Sequence, residues 1–99
     1  MLETFTLSTF KPHVGKKFSI RLDEMKQVEL HLVEANALGG DRATGDRRVP
    51  FSLVFQGPKD FLLPQRIYPF EHEALGAFEI FIVPIGVDEK GLRYEAVFT

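Results

Sequence analysis

Apolar and polar residues alternate along most of this chain. Phe18, Ile20 and Leu22 are separated by Ser19 and Arg21, and Val28, Leu30 and Leu32 by Glu29 and His31. A period of two sends successive side chains to opposite faces of a strand, so each segment has one face for a core and one for water. The polar run Asp23-Glu24-Met25 between them makes the pair a hairpin. "VPFSLVFQGP" adds a strand with Phe51, Leu53 and Phe55 on one face, stopped by Gly57-Pro58. "RIYPFEHE" and "FEIFIVPIG" read as two more strands, and "LRYEAVF" as the last, after Asp88-Glu89-Lys90-Gly91. "KDFLLPQ" is expected to be irregular, because Pro64 has no N–H for a ladder.

Residues 6–15 depart from this period. Leu7, Phe10 and Val14 stand at helical spacing, with Ser8 or Thr9 as a cap and Gly15 as a stop. One or two helical turns laying those three side chains on a core are expected. Six short strands without a long helix predict an all-β fold: a small antiparallel barrel or rolled sheet with a short N-terminal helical turn. The 99 residues form a single domain, 1–99, on this reading. Such a length buries roughly 65% of the unfolded surface, enough for one core.

The hairpin within residues 67–83 invites a register. Pairing Tyr68 with Ile82 and Phe70 with Ile80 leaves the loop Ala74-Leu75-Gly76, with Gly76 at the position that wants a left-handed residue. Glu71 then opposes Glu79 on the outer face, and Tyr94, Ala96 and Phe98 lie beside Ile82, Ile80 and Phe78.

Composition removes several functions. The chain has no cysteine, which excludes disulfides, thiolate catalysis and cysteine-based zinc sites. A net charge of −2 with both signs dispersed argues against nucleic acid and against a polybasic membrane anchor. The most apolar stretch, 78–87, is interrupted by Glu79 and Pro84 and is too short to cross a bilayer. No signal-peptide pattern opens the chain, so a soluble cytoplasmic protein is expected.

The charged motifs give little chemistry. "GGDRATGDRR", residues 39–48, lacks the Gly-Lys-Ser/Thr ending of a phosphate loop, and Asp41 and Asp46 oppose any anion that Arg42, Arg47 and Arg48 attract. It reads as a mobile solvated loop, and as the second candidate contact surface. The first is the outer face carrying Glu71, Glu79, Phe81, Val83, Arg93 and Glu95, where a charged patch is interleaved with an aromatic ring. An opposed Glu71–Glu79 pair would need a shared proton, a metal or a bridging Arg66 or Arg93, the basis of a less favoured enzymatic reading. His13, His31 and His72 show no ligand spacing, and His72 is expected to be a hydrogen-bonded structural residue. Ser8, Ser19 and Ser52 have no base nearby in sequence. The aromatic rows are core first. Tyr68, His72 and Tyr94 at a barrel mouth carry the alternative, a small-ligand-binding barrel. No catalytic residue, metal or cofactor is expected.

The segments "PFSLVFQGP", "LPQRIYPFEHEALG", "FEIFIVPIG" and "GLRYEAVF", with the opening "LETFTLSTFKPHVG", together resemble a family of small bacterial proteins of about this length, a domain of unknown function. The resemblance covers essentially the whole chain, most strongly residues 50–98. It carries no catalytic residues. It implies a genomic setting beside phage-tail-collar-like genes. The expected function is therefore a non-enzymatic protein-interaction or assembly accessory domain, in a phage-tail-like or collar-bearing particle. Its partner would be a protein, with a symmetric homo-oligomer through the first patch as a further option.

Overall fold

The alternating segments form six strands. They are β1 (Lys17–Asp23), β2 (Lys26–Ala37), β3 (Phe51–Gly57), β4 (Arg66–His72), β5 (Gly76–Asp88) and β6 (Gly91–Phe98), preceded by α1 (Leu7–Phe10). These come from a computed structural model that describes residues 5–38 and 50–98. The loop 39–48, with Arg42, Arg47 and Arg48, lies outside the described residues. The sheet closes into a barrel in the order β1-β2-β3-β6-β5-β4, every neighbouring pair antiparallel. Of the two expected forms, the closed barrel is the one observed. It consists of two three-stranded meanders, β1–β2–β3 and β4–β5–β6. They join along β3–β6, where pairing runs from Phe51↔Phe98 to Gly57↔Leu92, and along β1–β4. The β1–β4 seam is short: Ser19↔Glu71 and Ile20↔Phe70. The next residue of β4 is Pro69, which has no N–H to extend it.

The inward rows are the ones the alternation marks. Phe18, Leu30, Phe55, Phe70, Ile82 and Tyr94, one from each strand, have no exposed surface. Both ends of the barrel are stoppered. At the end where β1, β3 and β5 begin, α1 inserts Phe10 among Phe18, Phe51, Phe78 and Phe98, with ring centroids 5.7–6.4 Å away. Phe5 adds edge-on contacts to Phe10 and Phe78 at 5.4 and 5.3 Å. The Thr6 N–H donates to Thr9 Oγ1 at 2.9 Å, fixing the first turn. Leu7 packs against the core as expected, but Val14 does not: it is 42% exposed. The helix tightens to a 3₁₀ turn over Lys11–His13 around Pro12, so the spacing from Phe10 to Val14 is no longer α-helical and Val14 turns outward.

At the other end, residues 58–65 cross from β3 to β4 without strand structure, as expected for the segment with Pro64. Leu63 is the plug. Its N–H donates to Tyr94 Oη at 2.9 Å, and Tyr68 Oη donates to the Pro64 carbonyl at 2.6 Å. Two buried tyrosine hydroxyls thus anchor the crossing backbone.

Two expected registers are corrected. In the β4–β5 hairpin Tyr68 pairs with Ile80 and Phe70 with Phe78, two residues from the pairing with Ile82 and Ile80. The turn is Glu73-Ala74-Leu75, closed by His72↔Gly76 with Gly76 at φ 80°. On β5–β6, Tyr94 lies beside Pro84 rather than Ile82. A slip of two keeps every side chain on its face, so the core is unaffected while the outward neighbours change.

Candidate functional site

The corrected register rebuilds the outer face of β4 and β5. Glu71 now opposes Ala77, and Glu79 opposes Pro69. The directly opposed Glu71–Glu79 pair does not form, which removes the geometry on which a shared proton or a bound metal depended. Glu71 instead faces Arg21 of β1 at 3.9 Å, both partly exposed. Arg66 leaves this face altogether and stands over the Tyr68 ring at 5.5 Å. Phe81 lies opposite Ile67, and they are 47% and 59% exposed. An aromatic and a branched aliphatic side chain are thus adjacent on the solvent side of one hairpin. Val83, half-buried, pairs with Glu95 of β6, and Val97, two positions further along β6, is also exposed on the outward side.

Arg93 belongs to a different arrangement. Its guanidinium reaches over β3 to Glu34 of β2 at 2.8 Å and approaches Asp88 at 3.8 Å. Arg93 pairs with Gln56 and Glu34 with Val54, so the bridge passes above β3. The strand beneath is buried on both faces, with outward-facing Ser52 and Val54 only 4% and 6% exposed. Asp88 Oδ1 accepts the Lys90 and Gly91 N–H groups at 2.9 and 3.1 Å and the Gln56 amide at 2.7 Å. The Lys90 N–H, with smaller contributions from Gly91, Arg93 and Gln56, holds the Asp88 carboxyl below its usual range against a desolvation that opposes them. Glu79 and Glu95 have no ion pair among the described residues.

The proposed ligand mouth is divided. Tyr68 and Tyr94 lie at the end plugged by residues 58–65, where burial raises the Tyr68 phenol. His72 lies at the opposite end. There its ring stands 4.5 Å from His13 and 4.4 Å from Phe18. Its Nδ1 accepts the Ala74 and Leu75 N–H groups at 3.0 and 3.3 Å, which is the structural hydrogen bonding expected of it. Burial first, then His13, depresses the His72 pKa, with Glu73 pulling the other way. An Nδ1 lone pair given to two backbone donors puts the neutral ring's proton on Nε2, so neither nitrogen offers a free pair to a metal. Among the described residues no three His, Asp or Glu side chains are grouped to hold a metal ion. A solvent-open cleft of about 680 Å³ lies beside His13, His72, Glu71 and Lys17, and another of about 890 Å³ lies between β2 and the crossing segment, where Lys26 sits 4.5 Å over the Phe61 ring.

Sequence reasoning passed over Ile67, Glu34 and the approach of His13 to His72. Ile67 was findable, because its parity with Glu71 places an apolar side chain outward on β4. The other two are contacts between elements that no local spacing encodes.

A family model described as a domain of unknown function (DUF6916) matches residues 5–98. No curated protein and no solved structure matches the chain.

Proposed function

The chain belongs to the DUF6916 family of domains of unknown function, and from its geometry we propose that it is a non-enzymatic protein-contact domain docking through the outward face of β4 and β5. The observation that supports this reading is the Ile67–Phe81 pair, two large apolar side chains side by side and about half exposed on a hairpin whose other face is buried. Apolar side chains gathered on one face, with charged residues around them, are the usual anatomy of a contact patch. A phage-tail-like or collar-bearing particle as the setting rests on the family resemblance alone.

Phe81→Glu tests the docking face. Phe81 contributes little to the core, so the substitution is expected to change folding stability by no more than about 0.5 kcal/mol. Partners retained by the tagged wild-type chain from native lysate should be lost with the variant. Retention of the same partners by a folded Phe81→Glu chain counts against this face.

A further inference from the structure

Resting on that docking reading, we infer that the β4–β5 face takes a protein whose contact surface has an apolar centre rimmed by lysine or arginine, and not a second copy of this chain. Arg21 of β1 and Arg93 of β6, outward-facing cations on the strands that flank the hairpin, are both committed within the chain. Arg21 is held by Glu71 at 3.9 Å, and Arg93 is drawn over β3 by Glu34 at 2.8 Å and Asp88 at 3.8 Å. The carboxylates that border the pair are not committed. Glu79 is two positions from Phe81 on β5, and Glu95 pairs with Val83, two positions on the other side. Neither has an ion pair among the described residues. Negative charge therefore flanks the apolar pair at Glu79 on β5 and, beside Val83, at Glu95 on β6.

That arrangement discriminates between occupants. Two copies meeting face to face about a two-fold axis would bring Glu79 and Glu95 of one against the same rim of the other, and like charges juxtaposed across an interface disfavour that pairing. A partner with basic residues around an apolar anchor meets complementary charge at the rim and an apolar seat at the centre. Rim charges act chiefly on encounter rate and on rejection of wrong partners, and they weaken with salt.

The test is a random-peptide display selection on the immobilised full chain, with every binder re-measured on Phe81→Glu and on the Glu79→Lys, Glu95→Lys double variant. Binders lost on Phe81→Glu should be enriched in Lys and Arg beside aromatic or aliphatic residues. The double variant should weaken them about tenfold at low salt and flatten their salt dependence. Phe81-dependent binders of neutral or acidic composition overturn the charge inference and leave the docking face standing. No Phe81-dependent binder at all overturns both. A wild-type dimer in sedimentation equilibrium that Phe81→Glu dissociates overturns the choice of partner alone.

Discussion

His72 carries two backbone hydrogen bonds and one histidine neighbour on a single ring. Its folded pKa lies below the unfolded value of 6.5, chiefly through burial and then through His13. The unfolded chain therefore binds the proton more readily than the folded one. The stability contributed by neutral His72 is complete above pH about 6.5 and is lost as pH falls through the folded pKa. Protonation also removes the Nδ1 lone pair that holds the Ala74 and Leu75 N–H groups. Urea unfolding followed from pH about 7.5 down to about 5 should show this loss. His72→Asn keeps an acceptor within reach of the N–H two residues on and does not titrate. It should hold most of the neutral-pH stability and flatten the slope over that window. An unchanged slope in His72→Asn would assign the pH dependence to other groups.

At the scale of elements, the crossing segment depends on hydroxyls rather than on a ladder. Tyr94→Phe leaves the packing volume in place but strips the acceptor from the buried Leu63 N–H. An orphaned buried donor costs about 1–3 kcal/mol, measured as a shift in denaturant midpoint. Protection of the Leu63 amide should fall with it, while amides in β2 and β3 keep their order. The same scale shows what could be read in advance. Alternation in Phe18–Leu22, Val28–Leu32 and Phe51–Phe55 gave the faces and the core. It could not give register, because Tyr68 opposite Ile80 and Tyr68 opposite Ile82 bury the same side chains. Gly76 suited either hairpin, ending the loop in one and closing the turn in the other. The observed pairing carries a His72 side chain capping its own turn, a contact invisible to periodicity. Irregularities between Arg21 and Asp23, Leu32 and Glu34, and Pro84 and Gly86 shift the remaining ladders, and nothing in the apolar pattern marks them. The candidate site suffered accordingly: its residues were named correctly as outward-facing, but their neighbours were not.

At the scale of the whole molecule, the barrel depends on two joints between residues distant in sequence. One is the long β3–β6 ladder, and the other is the short β1–β4 seam ending at Pro69. Such non-local pairing is slow to form, on the order of milliseconds to seconds for small β folds. Each meander is locally connected by its own hairpins, whereas a single strandless crossing, residues 58–65, decides which partner each meander finds. Nothing in either joint requires that both halves come from the same chain. If residues 59–62 are deleted, the crossing loses the slack that lets it span the barrel, and the second meander is left to complete the barrel of a neighbour. The expected product is an intertwined, domain-swapped dimer. It should have twice the monomer mass in light scattering, the same far-ultraviolet circular dichroism as the parent, and dissociation only on unfolding. The plug at one end of this barrel thus also supplies the length of chain by which its two meanders close on each other.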